Sequence, residues 1–457
     1  MKLLDALSWR GTVGRRDYAV AGTVLLLVKY NLDRLVSEGI FRRSFSPLSY
    51  LDVTGVGRIT TLSVSDVAYC AALVALAVPF IWIGTALTLR RLRAIGVPGT
   101  LVVLFFVPLL NLIFFAVLSA VPSGEVGRAR ETGGRALLER LVPESKLGSA
   151  AMSLGLTLPA GLLGAYVTAH VFASYGWSLF VGIPFALGLV AALLYSVHSP
   201  RTIGECVGVA TLSAVLLALG LAALGAEGAI CLLMAAPLGI TIAAIGGAFG
   251  YALQQRHGTR AAPPTVLAVS VVVPLLIGVE VAGPETPPLI PVRTSVEIAA
   301  SPETVWEHVV AFAELPPPED WLFKTGIAYP IRATIEGTGV GAVRRCEFTT
   351  GAFVEPVTVW EPGRRLAFTV EAQPQPMREW GFYEHVEPHH LNGYFVSERG
   401  QFLLIPLPGG GTRLEGTTWY RHHVWPNAYW QLWSDAILHR IHLRVLRHVR
   451  TLSEADQ

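Results

Sequence analysis

Charge is what this chain lacks most. Only 15% of its 457 residues are Asp, Glu, Lys or Arg, where a water-soluble globular chain carries about 25%. A chain so poor in charge is not built to face water throughout, and a mean hydropathy of +0.50 agrees. Cysteine is scarce too. Cys70, Cys206, Cys231 and Cys346 are scattered, and three lie in apolar runs. No disulfide framework and no zinc-ligand spacing follows from them. A nucleophile elbow, a phosphate-binding glycine loop and a dinucleotide fingerprint are also missing. The N-terminus does not read as a signal peptide. Its first apolar run lies behind Arg10, Arg15 and Arg16, ends in Lys29, Asp33 and Arg34, and has no cleavage-like site.

The charge that is present is unevenly shared. From Gly283 onward there are 15 Lys and Arg against 20 Asp and Glu, whereas the first 282 residues hold 20 against 13. A basic front suits anionic lipid headgroups. An acidic back argues against nucleic acid as a partner, because phosphate binding needs clustered Lys and Arg.

Long uncharged runs organise the front. Asp66 and Arg90 bracket 23 residues, Arg93 and Glu125 bracket 31, and Lys146 and Arg201 bracket 54, interrupted at Ser174-Tyr175-Gly176. Further runs of 21, 28 and 19 residues follow between Glu205, Glu227, Arg256, Arg260 and Glu280. A helix crosses the hydrocarbon core with about 20 apolar residues, so each run counts as one span and the longest as two. With Tyr18 to Leu35, where Lys29 is expected to snorkel, the count is eight. The Arg-rich tail and a tight loop at Arg90, Arg91 and Arg93 favour an N-terminus inside, which returns the C-terminus to the cytoplasm, whereas Arg128, Arg130, Arg135, Arg140 and Lys146 in the loop from Pro122 to Lys146 favour the opposite orientation. Glu205, Glu227 and Glu280 fall at span ends, leaving too few ionisable groups within the spans for ion-coupled transport. Gly204-x-x-x-Gly208 and Gly246-x-x-x-Gly250 permit close helix packing, within the chain or in a homo-oligomer.

Beyond the last span, Pro284, Pro287, Pro288 and Pro291 fall within nine residues and mark an extended spacer, 283–291. The period then changes to alternation. Strands are expected at Val292 to Ala299, Arg332 to Glu336, Ala342 to Thr349, Val354 to Trp360, Leu366 to Glu371, Ser397 to Pro406 and Thr412 to His422. Ser301 and Pro302 start a short helix, and apolar residues at steps of three and four from Trp430 to Val449 give a long amphipathic one.

This order, with Val296-Glu297-Ile298-Ala299-Ala300-Ser301-Pro302-Glu303-Thr304-Val305-Trp306 and Val359-Trp360-Glu361-Pro362-Gly363-Arg364-Arg365-Leu366, resembles the START-like (SRPBCC) superfamily. The resemblance implies a helix-grip fold, a curved antiparallel sheet around the last helix, and an interior that tends to form a ligand cavity. The first 125 residues resemble the bacterial inner-membrane domain of unknown function 805, through Gly11-Thr12-Val13-Gly14-Arg15-Arg16-Asp17-Tyr18 and Leu89-Arg90-Arg91-Leu92-Arg93-Ala94-Ile95-Gly96. That family usually shows His-Asp where this chain has Arg93-Ala94. The expected chain is thus a multi-span α-helical membrane protein plus a soluble α+β helix-grip domain. It divides into a three-span domain (1–125), an amphipathic connection (126–147), a five-span region (148–282), the spacer, and the soluble domain (292–457).

Candidates to line the interior are Phe348, Phe353, Trp360, Phe368, Phe402 and Trp419 from strands, with Trp433, Ile437 and Ile441 from the helix. Nine of the twelve His lie in the same domain. The loop Glu384-His385-Val386-Glu387-Pro388-His389-His390 lacks helical ligand spacing. His422 and His423 are adjacent in a strand and face opposite sides. His439 and His442 are one turn apart, beside Arg440, Arg444 and Arg447, which points to a solvated face. No metal and no cofactor is expected. The first expectation for function is binding of a hydrophobic small molecule or lipid at the bacterial inner membrane. The alternatives are a cyclase/aromatase-type enzyme using an interior His or Glu, and a structural or transport membrane protein with a sensing domain.

Overall fold

A computed structural model of the chain describes residues 9–50, 64–106, 110–121, 138–257, 262–282, 287–383, 386 and 388–456. It divides into two compact units. One comprises Met1–Leu224 and Ala235–Glu285, the other Gly225–Met234 and Thr286–Gln457. Gly283 to Thr286, Glu384, His385, Glu387 and most of the connection 126–147 lie outside the described residues.

The helices of the first unit are α1 (Arg15–Arg34), α2 (Val64–Ile95), α3 (Leu110–Ala120), α4 (Lys146–Tyr166), α5 (Ile183–Tyr195), α6 (Ile203–Ala223), α7 (Ala229–His257) and α8 (Ala262–Ala282). The first turn of α7 is counted with the second unit. Among the described residues six helices are long and apolar enough to cross a membrane: Ala68–Ile95, Lys146–Val171, Ser178–Tyr195, Ile203–Ala223, Ala229–Gln255 and Pro264–Val281. This is a multi-pass membrane chain. Among the described residues, two of the eight expected spans do not reach that standard. Of the run between Arg93 and Glu125, the described residues past Ile95 include a 3-10 helix, Gly99–Phe106, and the eleven-residue α3, while 107–109 and 122–124 lie outside the described residues. Helix α1 has the length but carries Arg15, Arg16, Asp17, Lys29, Asp33 and Arg34.

Lys29 pairs with Asp33 one turn on, and Tyr50 donates to the same carboxylate. One expectation about charge is corrected. Arg90, Arg91 and Arg93 are not a loop, because α2 continues to Ile95. Arg91 is fully buried and donates to the carbonyls of Leu118 (2.8 Å), Val13 (3.4 Å) and Val121. The last carbonyls of a helix have no intrahelical partner, and a guanidinium fork at that end supplies several donors at once. At the other polarity, Thr202 and Glu205 form a reciprocal capping box at the start of α6. The Glu280 carboxylate accepts the Ser178 backbone N–H at 3.0 Å.

Helices α5 and α7 cross at their backbones. A Cβ on Gly188 would lie 2.1 Å from the Ala243 carbonyl, and one on Gly246 would lie 2.3 Å from that of Phe185. Gly250 approaches the Leu189 carbonyl in the same way. The Gly246/Gly250 pair therefore serves packing within the chain. Gly204 and Gly208 have no neighbour at that range.

The second unit holds a seven-stranded antiparallel sheet: β1 (Ile290–Ile298), β2 (Pro330–Glu336), β3 (Val343–Phe348), β4 (Gly351–Glu361), β5 (Arg365–Thr369), β6 (Phe395–Pro406) and β7 (Thr412–His422). The spatial order is β1-β7-β6-β5-β4-β3-β2. Helix α9 (Pro302–Val310) starts at Ser301, whose hydroxyl accepts the Thr304 N–H. Helix α10 (Asn427–Ala455) lies on one face of the sheet, burying Leu438, Val445, Leu446 and Val449. This is the helix-grip arrangement. Gly363, Gly409 and Gly410 close the β4–β5 and β6–β7 turns with positive φ, as left-handed turn positions require.

Candidate functional site

Register decides which side chains look toward α10. In an antiparallel sheet, residues paired across strands share a face, and alternate residues along a strand share it too. The Leu446 side chain of α10 lies against Gly416 on β7. Gly416 pairs with Thr294 on β1 and Phe402 on β6, and Phe402 pairs with Leu366 on β5. The same face carries Thr418, Gly400, Phe368 and Val357 in the next row. Farther along β4 and β3 it carries Glu355, Phe353, Arg344, Cys346 and Phe348.

The expected lining residues separate into three places. Phe348, Phe353, Trp360 and Phe402 pack on a core of Cys346, Val357, Leu366, Leu404, Leu414, Val445 and Leu446, and Phe368 lies beside Phe402 at 6.2 Å between ring centres. Trp360 reaches this face although it stands seven residues from Phe353, an odd step. A bulge between Val357 and Val359 inserts one residue and restores the parity. Trp433, Ile437 and Ile441 pack instead in a second cluster with Ile230, Met234, Phe323, Ile327, Met377 and Leu391. Trp419 lies between Thr418 and Tyr420 and so points away from α10, where the Arg399 guanidinium stacks on its ring at 4.6 Å.

At the centre of the aromatic group is a buried ion pair. Arg344 Nη1 donates to Glu355 Oε2, with the two residues 2% and 6% exposed. The guanidinium carbon stands 5.5, 5.4 and 5.6 Å from the ring centres of Phe312, Phe368 and Phe402. Three aromatic faces attract a cation but accept no strong hydrogen bond. Nε of Arg344 is buried and has no hydrogen-bond acceptor among the described residues. Burial pushes the Glu355 carboxyl above the usual carboxylate range, against the opposing pull of Arg344. The sequence signal for this pair was present: Arg344 has the parity of Cys346 and Phe348, so alternation alone turns it to their face.

A second polar group lies toward the other end of the same face. His442 Nδ1 is 3.1 Å from Thr294 Oγ1, and its Nε2 is 2.8 Å from Thr418 Oγ1. Burial lowers His442 to about 4, so the ring is neutral at neutral pH. The expected solvated face is corrected at this residue. Arg440 and Arg444 do not form an open basic face either. Arg440 binds Asp320 at 2.7 and 2.9 Å, and Arg444 donates to the carbonyls of Pro316 and Pro330.

A third cluster joins residues far apart in sequence. Cys231 Sγ is 2.9 Å from His390 Nε2, and the Glu379 carboxylate accepts the backbone N–H groups of Ile230 and Cys231. His390 is lowered to about 4 by burial, and Glu379 is raised by burial against the pull of its hydrogen bonds. These are the described residues with a donor set suited to a metal ion.

Comparison with known proteins fits the two units. Residues 290–421 match the family model described as "Polyketide cyclase / dehydrase and lipid transport", and residues 6–130 match "Protein of unknown function (DUF805)". Among solved structures the chain is similar to the Zhui aromatase/cyclase from Streptomyces sp. R1128, at 15% identity over 36% of this chain and 94% of that one, with a TM-score of 0.25. It is similar to a norcoclaurine synthase point mutant from Thalictrum flavum, in complex with a transition-state analogue, at 11% identity over 38% and 98%, also at 0.25. Comparison with curated proteins gives no match.

Proposed function

We propose that the helix-grip domain binds a hydrophobic small molecule or lipid that carries a hydrogen-bond acceptor, and that Arg344 anchors that acceptor. One observation carries the reading. A guanidinium is held inside an aromatic surround with Nε lacking an acceptor, and buried polar groups left in that state are uncommon without a ligand or water to meet them. The partly buried Phe348, Phe353, Trp360 and Phe402 supply the apolar wall, and the matched family description includes lipid transport. The membrane spans keep the domain where such ligands partition. We place the protein in the bacterial inner membrane with the domain on the cytoplasmic face, a reading supported by Arg10, Arg15 and Arg16 near the N-terminus.

Titrating the full-length protein with a long-chain carboxylic acid and with the hydrocarbon of equal length tests this. Charge-assisted hydrogen bonds contribute about 1.5–3 kcal/mol, so the acid should bind at least about tenfold more tightly. Equal affinity for the two would remove Arg344 as the anchor.

Catalysis of the cyclase/aromatase kind is the second reading, and Glu355 favours it. A carboxylate buried on the face lined by aromatics, and held there by Arg344, has the place of a general base. Conversion of a bound ligand that stops in Glu355→Gln would support this reading over simple binding.

A further inference from the structure

The cluster on Cys231 lies apart from the aromatic interior, and all of it belongs to the second compact unit. Its donor atoms come from separate segments: Cys231 in the first turn of α7, and Glu379 and His390 in the stretch between β5 and β6. The sequence separations are 148 between Cys231 and Glu379 and 159 between Cys231 and His390. Their ligating atoms, a thiol sulfur, a carboxylate oxygen and an imidazole nitrogen, all lie within 4.8 Å of one another. In a tetrahedral zinc site, bonds of about 2.3 Å to sulfur and 2.0–2.2 Å to nitrogen and oxygen put neighbouring ligand atoms roughly 3.5 Å apart. The cluster reaches that geometry with side-chain shifts of about 1 Å.

Two further groups fit the same chemistry. Glu227 Oε2 stands 3.4 Å from Nδ1 of His390, the nitrogen that faces away from the thiol. Metal-bound histidines commonly have their second nitrogen held by a carboxylate, which fixes the tautomer and the ring plane. Met377 places its sulfur 3.8 Å from Cys231 Sγ, on the same soft side.

We infer that Cys231, Glu379 and His390 bind one zinc-like divalent cation, with Glu227 orienting His390 from outside the coordination sphere. Three protein ligands leave a fourth position open for water, or for the Met377 thioether after a small movement. A different use of the same residues, a Cys–His pair acting as a nucleophile, fits less well. The Glu379 carboxylate already occupies the N–H groups of Ile230 and Cys231, where an acyl oxyanion would need them. A carboxylate beside the sulfur also opposes a bare thiolate, whereas a cation between them satisfies both.

The test uses the untagged full-length protein in detergent, with Zn2+ and Co2+ alone as probes. One equivalent of zinc per chain is expected by elemental analysis, and Co2+ replacement should give thiolate-to-metal charge-transfer absorption. Cys231→Ser should abolish that absorption, while Cys70→Ser leaves it intact. His390→Ala, Glu379→Gln and Glu227→Gln should each weaken zinc binding by about tenfold or more. If Cys231→Ser fails to fold, the wild type still decides, since bound zinc should slow alkylation of Cys231 by a maleimide. Folded wild-type protein that binds no stoichiometric zinc overturns the proposal. So does charge-transfer absorption that survives Cys231→Ser. Alkylation of Cys231 that is fast and indifferent to zinc would assign a reactive thiol instead, and overturns it equally.

Discussion

Arg344 and Glu355 stand directly opposite each other across the β3–β4 ladder, and both charges are buried. Removing one partner of a buried pair leaves an uncompensated charge and costs about 3–5 kcal/mol, whereas replacing both by apolar groups of similar volume is often close to neutral. Arg344→Met is therefore expected to destabilise the second unit by about 3–5 kcal/mol. The double variant Arg344→Met/Glu355→Leu should recover most of that loss. Denaturant unfolding of the full-length protein in nanodiscs, followed by tryptophan fluorescence, measures both. A single variant as stable as wild type would contradict the buried pair.

His442 sets a pH dependence of definite sign. Its pKa falls from 6.5 to about 4 on folding, so the unfolded chain binds more protons there between those values. Stability from this residue is fully present above about pH 6.5 and is lost as the pH falls toward 4. His442→Gln should flatten the stability profile in that window and leave it unchanged above pH 7. Unfolding midpoints measured from pH 4 to 8 check it.

Arg91 holds the end of α3 by donating to the carbonyls of Leu118 and Val121. Arg91→Leu leaves those buried acceptors without it, at a cost of about 1–3 kcal/mol for each unsatisfied group. Arg91→Lys keeps the charge but loses the fork, and should fall between wild type and Leu. Thermal melting in detergent, read by size-exclusion chromatography, orders the three.

Gly246 and Gly208 make a controlled pair. A side chain at Gly246 meets the Phe185 carbonyl, whereas one at Gly208 meets open space. Gly246→Val should lower the yield of monodisperse protein sharply, and Gly208→Ala should not. Equal yields would mean that α5 and α7 do not cross at this point.

Much of the fold was legible because its signals are local. Alternation, the Ser301-Pro302 start and the Gly363 turn each act within a few residues, and strands and helices formed where they pointed. The membrane half was legible as apolar runs, but Arg91 was misplaced because its partners are distant in sequence. Arg91 reads as a loop residue until α3 brings the Leu118 carbonyl to it, 27 positions away. The candidate site was legible only in part for the same reason. Trp360 and Trp419 both look like lining aromatics. A one-residue bulge turns the first inward, and strict alternation turns the second outward. His442 was hidden among arginines whose partners, Asp320 and the Pro316 and Pro330 carbonyls, lie more than a hundred residues before them. No spacing rule could join Cys231 to His390.

The most direct measurement is native mass spectrometry of the purified full-length protein beside its Arg344→Met/Glu355→Leu variant. The wild type should carry an apolar species with an acceptor headgroup, and the variant, still folded, should have lost it. A wild type that carries nothing, or a species retained equally by the variant and therefore held elsewhere, would contradict the assignment of this interior as a ligand site.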